Sequence, residues 1–270
     1  VSQIKIAIAG AAGKMGAANI KAVSQVPGLV VHSAFDRAGS PALGKDAGEV
    51  AGIGQLGVAI VDDVATALDG ADAIIDFTVP AASVALARLA AERGIVHIIG
   101  TTGCTEADNA AIAASAKAGA KIVKTGNFSL GVNLLVGLVR KAAAELPGWD
   151  VEIVEMHHNR KVDAPSGTAL MLGQAAAEGR GIDLSEHSVR SRDGHTGPRE
   201  AGTIGFAALR GGNVVGDHTV ILAGNAERIE LTHKADNRAL FADGAARAAL
   251  WAASQPPGLY TMADVLGFTS

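Results

Sequence analysis

Over its first 124 residues the chain alternates short β-branched apolar runs with alanine-rich stretches of helical period. Segments 4–9, 29–35, 57–61, 73–77, 95–99 and 120–124 read as strands, and 14–26, 64–68, 80–93 and 106–118 as helices. Continuous apolar strands separated by helices describe a parallel sheet covered on both faces, because only a strand buried on both sides lacks polar alternation. Right-handed crossovers then make this a doubly wound, Rossmann-like α/β domain. After residue 125 the period changes. A long helical pattern over 130–146 stops at Pro147-Gly148, and 150–156 alternates like a half-buried strand. A polar segment, 157–165, leads through Ser166 into a helix over 167–177. Strand-like runs at 203–210, 214–223 and 226–235 are separated by Gly211-Gly212-Asn213 and Gly224-Asn225, turns that predict antiparallel hairpins. Segment 238–253 is helical again and ends before Pro256-Pro257. The prediction is a nucleotide-type domain followed by an α+β domain, with the boundary at 125–129.

Composition narrows the function. With 270 residues, 49% hydrophobic and 19% charged, the chain can bury a core and is not dominated by disorder. A net charge of −4 provides no electrostatic case for nucleic acid or an anionic membrane, and 3% aromatics provide few stacking platforms. Apolar runs are too short to span a bilayer and no signal segment is visible, so a cytoplasmic protein is expected. The single cysteine, Cys104, excludes an intrachain disulfide and reads as a small buried hydrophobe rather than a nucleophile.

The first chemical signal follows the first strand: Gly10-Ala11-Ala12-Gly13-Lys14-Met15-Gly16, spaced GxxGxxG rather than GxGxxG. Its first glycine permits the tight turn, the second lets backbone approach a pyrophosphate, and the third lets helix and sheet pack closely. N–H groups opening the next helix supply the anion site. A close-packed turn in a glycine-rich chain is the alternative. Asp36 lies 20 residues beyond Gly16, at the end of the second strand, where a carboxylate can accept from a ribose. Arg37 beside it can pair with a 2′-phosphate or stack on adenine, so the pair leaves NAD and NADP open. Gly100-Thr101-Thr102 and Thr125-Gly126-Asn127-Phe128 follow two later strands, where ligands of open α/β sheets bind.

The second signal is Glu155-Met156-His157-His158-Asn159-Arg160-Lys161-Val162-Asp163-Ala164-Pro165-Ser166-Gly167-Thr168-Ala169. Two histidines and a lysine offer proton donors, and Lys161 or Arg160 can pair with an anionic substrate. Ser166 can cap the helix while Gly167 and Thr168 present backbone N–H groups to a carboxylate or phosphate. Zinc held by His157, His158 and Asp163 is disfavoured, because adjacent strand residues point to opposite faces and basic neighbours repel a cation. No metal is expected.

This stretch resembles the 4-hydroxy-tetrahydrodipicolinate (dihydrodipicolinate) reductase family, whose pattern E-x-H-H-x-x-K-x-D-A-P-S-G-T-A runs intact from Glu155 to Ala169. The glycine turn, Asp76-Phe77-Thr78, Gly100-Thr101-Thr102-Gly103, Asn127-Phe128-Ser129, Gly202-Thr203-Ile204-Gly205-Phe206 and Thr232-His233-Lys234-Ala235 extend the likeness along the whole chain. The resemblance implies reduction of a cyclic hydroxy-dicarboxylate by NADH or NADPH with loss of water, in lysine synthesis through diaminopimelate. It puts catalysis on His157 and Lys161, and the substrate on His158, Ser166, Gly167 and Thr168. The cofactor falls to Gly10, Ala11, Ala12, Gly13, Lys14, Met15, Asp36, Arg37, Gly100, Thr101, Thr102, Thr125, Gly126, Asn127 and Phe128. It further implies a homotetramer held by a mixed sheet in the second, substrate-binding and oligomerisation domain (129–236). The last helix would return to the first domain (1–128 with 237–270), with hinges near the junctions.

Overall fold

The computed structural model describes residues 3–268. From the amino end run β1 (Ile4–Ala9), α1 (Lys14–Gln25), β2 (Leu29–Phe35), α2 (Ala47–Ala51), β3 (Ile60–Val61), α3 (Val64–Ala67), β4 (Ala73–Asp76), α4 (Pro80–Arg93), β5 (Val96–Ile99), α5 (Glu106–Lys117) and β6 (Lys121–Lys124). Next come α6 (Leu130–Glu145), β7 (Asp150–His157), α7 (Gly167–Arg180), α8 (Leu184–His187), β8 (Ser188–Val189), β9 (Ile204–Arg210), β10 (Asp217–Ala223) and β11 (Arg228–Lys234). The chain closes with α9 (Ala239–Ala253), β12 (Gly258–Tyr260) and α10 (Met262–Leu266). Two compact units result, one of residues up to 130 together with those from 239 onward, the other of 131–238. Each changeover falls slightly later than the boundaries 128/129 and 236/237 read from the sequence. Among the described residues no helix is long and apolar enough to cross a membrane.

The first unit is a seven-stranded sheet ordered β12-β6-β5-β4-β1-β2-β3, parallel throughout. Alternate residues serve opposite faces. Ile6, Ile8, Ile75 and Ile98 join the helices α1 and α9 on one side, while Ala7, Ile74, Ile99 and Ile122 meet α4 and α5 on the other. Each fully buried isoleucine stabilises the unit by about 1.5–3 kcal/mol. Helix α9 is buried through Ala242, Ala245, Ala246, Ala249 and Ala252, small residues that let it lie close to the sheet. Cys104 is partly buried against the second of these faces.

Two local expectations change here. Segment 57–61 forms a strand only at Ile60–Val61, because the Asp46 carboxylate accepts from the N–H groups of Leu56, Gly57 and Val58 at 3.0, 2.7 and 3.1 Å and bends that backbone away. Asp46 also caps α2, a helix too short to show a period. Beyond Pro257 the chain adds β12 to the sheet edge beside β6 rather than ending at the prolines.

In the second unit the sheet order is β11-β10-β7-β9-β8. The hairpin predicted between 203–210 and 214–223 does not form. Strand β7 lies between them, parallel to β9 and antiparallel to β10, and only β10 and β11 make a hairpin. The glycine turn after β9 crosses the carboxyl end of β7, where Gly211 N–H donates to the His157 carbonyl at 2.9 Å and Asn159 N–H to the Gly212 carbonyl at 3.3 Å. Central β7 buries Val151 and Ile153 among Ile204, Phe206, Val220 and Leu222, beneath Leu172 and Ala176 of α7.

Candidate active site

In the first unit the turn after β1 is tied to the end of β2. Ala11 N–H donates to the Phe35 carbonyl (3.1 Å), Ala12 N–H to Asp36 Oδ2 (2.8 Å), and Arg37 N–H to Asp36 Oδ1 (2.8 Å). Gly10 has φ +65, the left-handed region that favours glycine, and a Cβ on Gly16 would lie 2.2 Å from the Gly10 carbonyl oxygen. Helix α1 therefore sits directly on its own turn. It is capped by Gly13 without a side-chain hydrogen bond, so no capping side chain competes with an anion for the first N–H groups of the helix.

A cavity of about 720 Å³ opens beside this turn, lined by Gly10, Ala12, Gly13, Asp36 and Arg37 together with Phe35, Ser40, Pro41, Val64, Thr78, Leu86 and Leu89. Its polar end carries the turn and the Asp36–Arg37 pair, and its walls are apolar. This matches a dinucleotide, whose phosphates need N–H donors and whose adenine needs an apolar slot. Sequence reading missed the walls formed by Val64, Leu86 and Leu89, because apolar positions on a helix look the same whether they face a core or a ligand, and Pro41, in a turn, carried no signal either.

Thr101 behaves differently from the expected cofactor contact. Its Oγ1 accepts from Thr78 N–H at 3.0 Å and meets Ser83 Oγ at 2.8 Å in a buried network around Asp76. Asp76 also binds Ser83 Oγ (2.6 Å), Thr78 Oγ1 (2.6 Å) and His97 Nε2 (3.2 Å). Burial pushes the Asp76 carboxyl up, but its bonds with His97, Ser83 and Thr78 outweigh that and hold it below the usual range. Thr102 is exposed. In the 125–129 loop, Asn127 N–H donates to Thr125 Oγ1 (3.2 Å), Asn127 Oδ1 accepts from Ser129 N–H (2.8 Å), and Gly126 is exposed. Phe128 points into the core, its ring centroid 5.5 Å from that of Phe77.

In the second unit the candidate acid/base groups collect at the carboxyl end of β7. His157 Nδ1 lies 2.5 Å from Glu155 Oε2. Glu155, only 1% exposed, is gripped by Arg210 through Nη1–Oε2 (2.8 Å) and Nη2–Oε1 (2.9 Å), and Oε1 accepts from Ser166 N–H at 3.2 Å. Burial raises this carboxyl, yet the Arg210 and His157 partners hold it below its ordinary value. Lys161 Nζ reaches Asp163 at 2.8 and 2.9 Å. Ser166 caps α7 by accepting from Ala169 N–H (3.1 Å), so Gly167 and Thr168 open a helix whose dipole favours an anion. His158 is depressed first by burial, then by Arg160 and Arg238. Among the described residues no group of three or more His, Cys, Asp or Glu side chains is arranged to hold a metal ion.

His218, on β10, was missed by the sequence reading. Its Nε2 lies 3.1 Å from Ser166 Oγ and its ring packs edge-on against His157, centroids 5.1 Å apart. Burial first, and the neighbouring His157 second, push its pKa down to about 4. Below its unfolded pKa the unfolded chain takes a proton that the folded protein refuses. Stability is therefore expected to fall between about pH 6.5 and 4, by up to about 3 kcal/mol. The carboxylates Asp76 and Glu155, depressed in the fold, extend the loss below that window. Melting temperature against pH checks this: His218→Asn should flatten the decline from pH 6.5 to 4, and an unchanged slope would refute it.

Residues 4–128 match the family profile described as dihydrodipicolinate reductase, N-terminus, and residues 131–266 match that for its C-terminus. The chain belongs to the dihydrodipicolinate reductase family. Within that family it is 58% identical over 269 residues to the 4-hydroxy-tetrahydrodipicolinate reductase of Rhizobium rhizogenes, covering 99% of this chain and 98% of the relative. It is 60% identical over 266 residues to 4-hydroxy-tetrahydrodipicolinate reductase 1 of Mesorhizobium japonicum, covering 98% and 97%. Among solved structures, the dipicolinate-bound dihydrodipicolinate reductase from Paenisporosarcina sp. TG-14 shares the fold at TM-score 0.77 and 24% identity, over 96% of this chain and 97% of that one. The two-unit build, a parallel Rossmann-like sheet and a mixed sheet, is thus that of the dihydrodipicolinate reductases.

Proposed function

We propose that this NAD(P)-dependent oxidoreductase reduces 4-hydroxy-tetrahydrodipicolinate to tetrahydrodipicolinate in lysine synthesis through diaminopimelate. Substrate, reduced cofactor and one proton give product, oxidised cofactor and water. The observation that carries the reading is the joining of His157, Lys161 and the α7 mouth within one short segment, in a member of this family. When bound, the nicotinamide supplies the hydride.

The chain's own residues do the rest. Ionised Glu155 can only accept, so neutral His157 carries its proton on Nδ1 and presents Nε2 as the atom that takes or gives a proton. A Cβ on residue 216 would stand 2.9 Å from Nε2, so Gly216 keeps that side of the ring clear. Lys161 is the second proton donor, and departure of the hydroxyl as water needs such an acid. The α7 mouth at Ser166, Gly167 and Thr168 receives one ring carboxylate, with His158 beside it. Gly10 to Met15, Asp36, Arg37, Gly100 to Thr102 and Thr125 to Phe128 hold the cofactor, Thr101 and Phe128 by shaping the wall. Two features support the further reading as a homotetramer built on the second sheet: Leu209 and Ile229 are half exposed on its strands. A reductase drawing on the cytoplasmic pool of reduced nicotinamide belongs in the cytoplasm.

The test is oxidation of NADH or NADPH with substrate freshly made by the preceding synthase; no turnover with either would reject the assignment. The same assay reads cofactor choice. Arg37→Ala should raise the KM for NADPH about tenfold while changing that for NADH far less, the loss of one charge-assisted phosphate contact. Equal changes would exclude a 2′-phosphate at Arg37.

A further inference from the structure

The buried carboxylate of Glu155 bonds to three separate parts of the candidate site. Glu155 and His157 are two apart on β7 and share a face of the strand, so the carboxylate meets the imidazole without any turn of the chain. The same carboxylate accepts from Ser166 N–H, at the residue that caps α7. Arg210, which pairs with His157 in the β7–β9 register, binds both carboxylate oxygens and also donates through Nη2 to the Asp163 carbonyl at 2.7 Å, in the segment that carries Lys161. Four donors thus saturate two oxygens that water barely reaches.

We propose that Glu155, held by Arg210, is the positioning residue of this site: it fixes the tautomer and orientation of His157 and sets the imidazole's distance from the helix mouth that receives the substrate carboxylate. The proposal rests on the reading of His157 as the acid/base residue. Glu155 itself touches no reacting atom. A carboxylate serves here where an amide does not, because it offers acceptor lone pairs to all these donors at once and forces the proton onto Nδ1. Arg210 makes that possible, since a bidentate guanidinium neutralises a charge that would otherwise be costly to bury.

The experiment is a double-mutant cycle with Glu155→Gln and His157→Gln, read as kcat, as KM for substrate, and as NADH affinity by fluorescence. Glu155→Gln should lower kcat by about 10–100-fold, the usual consequence of removing an orienting partner, with NADH affinity unchanged. In the His157→Gln background it should add little further loss, because it acts through that ring. Proton NMR supplies a readout apart from activity: the far-downfield Nδ1–H resonance of an imidazole bonded to a carboxylate, assigned by its absence in His157→Gln, should vanish or move in Glu155→Gln. The neutral pair Glu155→Gln with Arg210→Gln removes the unpaired buried charge and should fold while keeping the kcat loss. Full kcat in Glu155→Gln, or losses that multiply independently of His157, would overturn the proposal. Retained kcat in His157→Gln would instead overturn the reading beneath it.

Discussion

Replacing His157 by Gln is expected to lower kcat by about 10²–10⁴-fold while leaving the dissociation constants for NADH and NADPH within about twofold. The imidazole is held at Nδ1 by Glu155, which leaves Nε2 for the proposed proton exchange, and Gln has no group that both accepts and returns a proton. The proposed cofactor cradle, around Gly10, Asp36 and the α1 opening, belongs to the other compact unit, and among the described residues its hydrogen bonds do not involve His157. Lys161→Ala should behave likewise, with a higher substrate KM as well, because it removes a cation that can pair with the anionic substrate along with the proposed proton donor. Stopped-flow kinetics with fresh substrate, set against cofactor titration by fluorescence, separates the two effects. A variant that keeps its rate would strip that residue of its role; one that loses cofactor binding in parallel would point to damaged folding.

The second large effect is expected at Gly16. A Cβ there would lie 2.2 Å from the Gly10 carbonyl oxygen and 2.7 Å from Ala11 Cα, both backbone atoms that no rotamer change can move. Gly16→Ala must push α1 off its turn, overpacking that costs about 1–3 kcal/mol, or roughly 2–4 °C of melting temperature for each kcal/mol. The N–H groups at the helix opening then leave the position where they converge, and cofactor affinity should fall about tenfold or more. Gly148→Ala, with nothing within 4 Å of the added carbon, is the control and should change neither quantity. Lowered stability with unchanged cofactor affinity would show that this turn packs the helix but does not hold the dinucleotide.

Much of this was legible in the chain's order of residues. The apolar runs of β1, β4, β5 and β6 have no polar alternation, which only burial on both faces explains, and the glycine turn states where the first helix meets the sheet. The segment from Glu155 to Ala169 announced a strand end, a polar loop and a capped helix. Other features had no local signal. Strand β7 separates β9 from β10 although the glycine turn between those two resembles a hairpin loop, because turn chemistry reports how sharply a chain reverses and says nothing of which strand fills the gap. Helix α2 depends on one aspartate gathering N–H groups from as far as twelve residues ahead. Thr101, read from the sequence as lining the cofactor, has its hydroxyl in a buried network with Asp76 and Ser83, partners 25 and 18 residues away that no local pattern announces.

Periodicity and spacing, then, were enough to determine the parallel sheet, the turn that opens α1 and the segment carrying His157 and Lys161, because each depends on neighbours within a few residues. Tertiary structure alone decided that Arg210, 55 residues beyond Glu155, neutralises it. It alone set His218, 52 residues from Ser166, against the α7 cap. A buried charge requires a partner of opposite sign within hydrogen-bond reach, but that requirement constrains distance in space and leaves separation along the chain open.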